Sequence, residues 1–506
     1  MARVSRERCR ARARQAISTI FTVLIRLGQN ATGEKAYSKR KRVRGSEMEK
    51  KYLHTMPVCL SSNETPLEKK PVRPWIEGRL RQGLTGAATL AAALTLTVTD
   101  PRPAGALDAY SALSFRDSIG VNSVLSETSS TSRYTAVKDA LRDIGIVNHR
   151  AKLTPYNAGR ARDLYQCCGI KTLARIDVRE GGGKVGKADP TGIPQELNAA
   201  LGAGSQAISA FEGPNEYTSL QSGPGWDDDL RVYMQRLADE VRGRKLPQPV
   251  VGPTIYLRKP MHINELGNIG GSIDASNFHI YTSGNEPSYK IDEFLSNARI
   301  MAPGKPVWVT EYGYHNALKN PKQNPVSELT AAKYIPRFAA LYFGRSPQGK
   351  FFVYEFIDDA NNPADREANF GILRNNLQKK PVYYTLKRMI NVVKTGSTAV
   401  SPRDLNVNIS GGGNIQKLLL QQSSNQYLLL LWQEVKVWDV KAQRQISVPD
   451  QPVTVTIPTN AAFSLYDTLP NEADASKDAA PAQLGSGRRS VTFNVPDHIV
   501  LLQMKL

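Results

Sequence analysis

Cysteine is scarce in this 506-residue chain: there are four, and Cys9 and Cys59 both fall in the first 106 residues. The rest of the chain keeps only the adjacent pair Cys167-Cys168, which excludes a disulfide framework. That pair can close a bridge in an oxidising compartment or ride a helix with one thiol inward, and the helix reading is the expectation. Histidine is nearly as rare, at six. His149, His262, His279, His315 and His498 are scattered without the short spacings that zinc ligands favour, so no metal site is expected. No cofactor is expected either. Gly181 to Lys187 has the spacing of a phosphate loop, but Ala188 replaces the required Ser or Thr, and Asp189-Pro190 follow where a helix should open.

Long apolar runs are also missing. The most hydrophobic stretch, Gly83 to Val98, is diluted by Gly and Thr and falls short of the roughly 20 residues a membrane span needs. With Arg73, Arg79 and Arg81 before it and Ala104-Gly105-Ala106 after it, residues 73–106 read as a secretory signal peptide with an A-x-A cleavage site. No membrane span is expected once it is removed, and the mature protein is expected outside the cytoplasm. Residues 1–72 read as a basic extension, either disordered or the product of a mis-assigned start, since Met48 and Met56 offer later ones. Residues 1–106 hold 21 of the 66 Lys and Arg but 8 of the 46 Asp and Glu, so +13 of the net +20 lies there and +7 remains for residues 107–506. That modest remainder argues against a nucleic-acid partner.

From about residue 116 short apolar runs alternate with segments of helical period, as in repeated β/α units. Strands are predicted at 118–124, 146–153, 171–178, 207–212, 249–253, 276–281, 306–310 and 350–357, with helices such as 228–242, 290–301 and 382–393 between or after them. Eight such units suit a (β/α)₈ TIM barrel over residues 107–395, although an open doubly wound sheet alternates in the same way. Beyond about Lys394, Ser, Gly and Asn clusters separate extended runs at 427–432, 453–457, 490–495 and 499–504. Residues 396–506 therefore read as a small all-β sandwich, with Pro470 to Arg489 as a long loop. Trp432 and Trp438 either bind carbohydrate there or brace the barrel, and bracing is expected.

Hydrolysis of a glycosidic bond requires two carboxyl groups, one to protonate the leaving oxygen and one to attack or to activate water. Two candidates stand where predicted strands end: Glu216 in Phe211-Glu212-Gly213-Pro214-Asn215-Glu216-Tyr217, and Glu311 in Val307-Trp308-Val309-Thr310-Glu311-Tyr312. They close the fourth and seventh strands. Glu212 lies four residues before Glu216, but alternation puts it inside the strand, where a structural ion pair is expected.

In these two motifs the chain resembles the clan A retaining glycoside hydrolases, which include glycoside hydrolase families five and thirty-nine. The resemblance covers residues 116–393 and implies a secreted enzyme that cleaves β-glycosidic bonds of an oligo- or polysaccharide by double displacement. It implies Glu216 as acid/base, protonated before the first step, and Glu311 as the ionised nucleophile. Asn215 would bond the sugar hydroxyl beside the reacting carbon. In His279-Ile280-Tyr281 the tyrosine would hold the nucleophile, with His279 either beside it or simply buried, and Arg150 would keep the nucleophile ionised. On the eighth strand the family often presents a tryptophan platform. Here the sequence is Val353-Tyr354-Glu355-Phe356, which puts the glycone subsite in doubt, and Glu355 would bind sugar hydroxyls or a neighbouring arginine. Tyr217, Trp226, Tyr256, Tyr312 and Tyr314 lie in loops where stacking on sugar is an option. A transglycosylase, a barrel that binds carbohydrate without cleaving it, and a basic protein that binds acidic polymers are the competing readings. The sugar, the linkage and the oligomeric state are not written in the sequence.

Overall fold

A computed structural model describes residues 106–506, apart from 124, 126–130, 183–184, 219–222, 257–259 and 321–323. The basic extension and the signal peptide as far as Gly105 lie outside the described residues.

All eight predicted strands form, mostly with shorter ends. They are β1 (Ile119–Asn122), β2 (Asn148–Ala151), β3 (Lys171–Arg175), β4 (Ile208–Glu212), β5 (Val250–Val251), β6 (Ser276–Ile280), β7 (Val307–Tyr312) and β8 (Phe351–Val353). Each pairs in parallel with its neighbours in chain order, and β8 pairs with β1. A single bridge between Val251 and Ala275 joins β5 to β6 and closes the ring. One helix follows each strand: α1 (Thr131–Ile144), α2 (Ala158–Cys168), α3 (Ile193–Leu201), α4 (Trp226–Gly243), α5 (Pro260–Leu266), α6 (Ile291–Arg299), α7 (Glu328–Arg345) and α8 (Pro381–Lys394). The fold is the (β/α)₈ barrel.

Strand alternation fills the barrel in layers. Leu173, Ala210, Val251, Ala275, Trp308 and Phe352 make an apolar layer. Gly120 belongs here because a Cβ at this position would run into the Phe352 ring. One step nearer the strand ends the inward positions turn polar, with Asn122, Arg150, Glu212, Asn277 and Thr310 all buried. Sequence alternation thus delivers a ring of hydrogen-bonding groups at the mouth where barrel enzymes work.

The C-terminal strands form the expected β-structure around a core that includes Leu429, Leu431, Val453, Val455, Phe463, Val491, Leu502 and Met504. On the strand Gln426–Gln433 the alternate residues Leu428, Leu430 and Trp432 belong instead to the barrel's hydrophobic core, so both faces of this strand are buried. Two features depart from expectation. Ala109–Ser111 pairs with Ile415–Ser423, so chain N-terminal to the barrel contributes to this sheet. Part of the predicted loop is strand: Ala482–Val495 pairs with Gln451–Asp467 in a long hairpin. Its first half is mostly small or polar, with Leu484 packed on the core, and carries no period-two signal.

Helix α7 is buried all round from Thr330 to Phe343, because the barrel lies on one side and the sheet on the other. It carries Pro336, which lacks an N–H and leaves the carbonyl of Ala332 without its helical partner. The Thr385 hydroxyl of α8 donates to that oxygen at 3.0 Å. Arg337, also on α7, donates to Glu434 and to the carbonyls of Val435 and Asp497, tying barrel to sheet. At the end of α2, Cys167 and Cys168 are joined in a disulfide, against the expectation of free thiols.

Candidate active site

The apolar runs of β4 and β7 end at the barrel mouth and present Glu216 and Glu311 there. Glu216 has a φ of +48°, a left-handed conformation that costs about 1–3 kcal/mol for a residue with a Cβ. The surroundings hold it there. Its N–H donates to Thr254 Oγ1 at 2.8 Å. Arg179 donates to the Asn215 carbonyl at 2.9 Å, is paired with Asp177 at 2.5 Å and lies over the Tyr217 ring.

Glu311 is buried, and each of its oxygens has a donor. Arg150 Nη1 reaches Oε1 at 2.7 Å, and the Tyr281 hydroxyl reaches Oε2 at 2.7 Å. Arg150 also grips Glu212 through Nε at 2.5 Å and Nη2 at 3.0 Å, and donates to Asn122 Oδ1 and Asn215 Oδ1. Burial works against its charge, but the attraction of Glu212 and Glu311 outweighs burial and raises the guanidinium above its ordinary value. Glu212 is fully buried and receives two further bonds, from Asn277 and Thr310 at 2.8 Å each, so the structural ion pair expected for it is there. Burial first, and the Glu311 charge second, keep the Tyr281 phenol protonated far above its usual range.

His279 joins the two carboxyl groups. Its Nδ1 lies 3.1 Å from Glu216 Oε1 and 3.2 Å from Glu311 Oε2, and the nearest donor atoms of the three residues all fall within 4.8 Å of one another. Of the residues singled out in the sequence, Arg150, Asn215, Glu216, His279, Tyr281 and Glu311 therefore meet in one network.

The family model described as the glycosyl hydrolase catalytic core matches residues 186–343, which span both carboxylates. The chain is a glycoside hydrolase. Its barrel is similar to that of a family 39 glycoside hydrolase from Bacteroides cellulosilyticus WH2, at 16% identity and a TM-score of 0.52 over 78% of this chain and 82% of that one. It is similar also to a GH39 enzyme from Xanthomonas axonopodis pv. citri, at 12% identity and a TM-score of 0.51 over 78% and 95% of the two chains. A monomeric beta-xylosidase from Caulobacter crescentus CB15 aligns at 11% identity and 0.51 over 79% and 97%. At such identities these likenesses show the fold alone. No curated protein matches in sequence.

Elsewhere in the hydrolase the expected site residues divide. Glu355 follows Tyr354 just beyond β8 and is buried, and its charge helps raise the Tyr354 hydroxyl, after burial itself. The Tyr354 ring lies 6.3 Å from that of Tyr281. Tyr217, Trp226, Tyr312 and Tyr314 are buried and pack, whereas Tyr256 is 47% exposed and is the one of the five left to meet a sugar face. Trp432 and Trp438 are buried, and their indoles donate to Glu434 and to the Pro325 carbonyl, the bracing arrangement.

Among the described residues two groups of side chains have the donor spacing of a small cation site, Glu216-His279-Glu311 and Glu472-Asp497-His498. In the second the Lys333 amine already sits 2.6 Å from Glu472 and 2.7 Å from Asp497, where a cation would lie. In the first Arg150 and Tyr281 already neutralise and bond Glu311.

Sequence reasoning missed Asn122, Asn277, Thr310 and Thr254, small polar residues that carry no signal of their own. It also missed Arg175, which two-residue alternation from the barrel-filling Leu173 would have placed inward.

Proposed function

We propose that the protein is a retaining β-glycosidase in which Glu311 is the nucleophile and Glu216 the acid/base. The observation that carries this reading is the short gap between the two carboxyl groups, bridged by one imidazole nitrogen. Inverting enzymes hold theirs roughly 6.5–9.5 Å apart to admit a water, and retaining enzymes about 5–5.5 Å apart. The bridging atoms here lie within 4.8 Å.

The hydrogen bonds assign the parts. Thr310 gives its single proton to Glu212 or Asn277, so it accepts from His279 Nε2 at 3.2 Å. His279 Nδ1, 3.1 Å from Glu216 Oε1, then shares the acid's proton with Glu216. This stores the acid's proton beside the scissile bond. Arg150 and Tyr281 donate to Glu311 and fix its carboxylate in place. In the first step Glu311 attacks the anomeric carbon while Glu216 protonates the departing oxygen. In the second Glu216 takes a proton from water, which displaces Glu311 from the sugar. Asn215, its Oδ1 engaged by Arg150, turns its amide NH₂ to the hydroxyl next to the anomeric carbon. Export of the mature chain is part of the proposal. It rests on the sequence of residues 73–106 and fits the bonded Cys167–Cys168 pair, since disulfides persist in oxidising compartments.

The test is hydrolysis of aryl β-glycosides by the protein and by Glu216→Ala and Glu311→Ala. Both variants lose turnover. Azide then yields a β-glycosyl azide with Glu216→Ala and an α-glycosyl azide with Glu311→Ala. The reverse assignment of products, or full activity in either variant, refutes the roles.

A further inference from the structure

Arg175 closes β3 with its side chain directed into the barrel mouth, in register with Glu212 on β4. The Arg150–Glu212 pair joins β2 to β4 and thus passes across the strand that carries Arg175. Three acids lie within reach of its charge: Asp177, Glu212 and Glu311. None is free to pair with it. Asp177 is bound to Arg179, and Glu212 is saturated by Arg150, Asn277 and Thr310. Glu311 is held by Arg150 and Tyr281. The Arg175 side chain makes no hydrogen bond or ion pair among the described residues, and its Nε is buried without an acceptor. Burial and the neighbouring Arg150 charge both act against its own charge. A half-buried guanidinium whose Nε is closed off from water and which no carboxylate pairs directly is a costly arrangement that a bound anion relieves. Its planar fork suits a carboxylate. The charge is felt at Glu311, the residue to which the glycone would become bonded.

We propose that Arg175 recognises an anionic group on the sugar in the glycone position, so that the enzyme acts on glycans built with an acidic residue, a uronic acid in the first instance. This rests on the barrel mouth being the glycosidase site described above, and it adds the substrate class. Asn215 and Glu311 would set the anomeric end of the ring, and Arg175 the end that carries the charge. A uronate meets the guanidinium through two charge-assisted bonds, whereas a neutral sugar leaves the fork unpaired.

Two measurements test it. In the first, kcat/KM is compared for 4-nitrophenyl β-D-glucuronide and galacturonide against the matching glucoside and galactoside, in wild type, Arg175→Gln and Arg175→Lys. One uronide is preferred over its neutral partner by roughly 100-fold in wild type, the ratio falls toward one in Arg175→Gln, and Arg175→Lys restores part of it. A neutral substrate preferred over both uronides, or a preference that survives Arg175→Gln, overturns the inference. In the second, methyl β-glucuronide, methyl β-galacturonide, their neutral counterparts and methyl β-glucoside 6-sulfate are titrated against the wild type and Arg175→Gln by calorimetry. Tighter binding of an anionic sugar that is lost in the variant upholds the proposal even where turnover fails, and the failure then falls on the catalytic reading alone. The sulfate separates the two kinds of anion. Equal binding of charged and neutral sugars overturns the proposal whatever the catalytic result.

Discussion

Replacing Arg150 by methionine keeps most of the side chain's bulk and removes five hydrogen bonds, two to Glu212 and one each to Glu311, Asn122 and Asn215. Those bonds use every N–H of the guanidinium. The fully buried Glu212 then loses its ion-pair partner, and breaking such a pair from one side costs about 3–5 kcal/mol. Unfolding in urea reads this as a lower midpoint, and kcat/KM falls by roughly 10²- to 10³-fold as Glu311 loses its anchor. A second change separates stability from chemistry. In Arg150→Met/Glu212→Leu the fully buried Glu212 carboxylate is gone and only Glu311 still lacks Arg150, while Asn277 and Thr310 keep their bond to one another and Asn277 keeps the Gly252 carbonyl. The double variant should recover most of the lost stability and none of the lost activity. An unchanged midpoint in Arg150→Met refutes the reasoning. So does a double variant less stable than the single one.

Tyr281→Phe deletes the bond to Glu311 Oε2 and should lower kcat about 10- to 100-fold with little change in urea midpoint, as steady-state kinetics and unfolding will show. His498 is raised to about 9 in the fold: burial opposes its charge, and the bonds to Asp467 and Asp497 outweigh burial. A raised pKa stabilises fully below the unfolded value near 6.5 and is lost as pH climbs through 9, so the unfolding free energy read from urea curves should fall over that window by an amount on the order of 3 kcal/mol. His498→Gln should flatten this slope. Thr385→Val strands the Ala332 carbonyl opposite Pro336 and should cost about 1–3 kcal/mol in unfolding with kcat unchanged.

The barrel was legible because each strand is an apolar run ended by turn residues, and the two carboxylates stood out as acids at the ends of two such runs. Arg150, His279 and Tyr281 came through the resemblance, and the hydrogen bonds then gave each a place. Other parts carried no local signal. The first half of Ala482–Val495 is a strand because Gln451–Asp467 pairs with it, and its own residues carry no apolar alternation. Ala109–Ser111 is three residues long and gains its meaning from Ile415–Ser423, some 300 positions away. Four of the five loop aromatics looked available for sugar because burial is set by packing between elements, which no local window contains. Asn277 and Thr310 matter only through Glu212, a relation between three strands.

The most direct test of the catalytic account is trapping with 2-deoxy-2-fluoro β-glycosides bearing a dinitrophenyl leaving group, in neutral and uronic forms, followed by mass spectrometry of the digested protein. The account predicts a stoichiometric sugar adduct confined to the peptide that contains Glu311, and none in Glu311→Gln. An adduct on Glu216, Glu355 or another carboxylate, or release of product with inverted anomeric configuration, would contradict it.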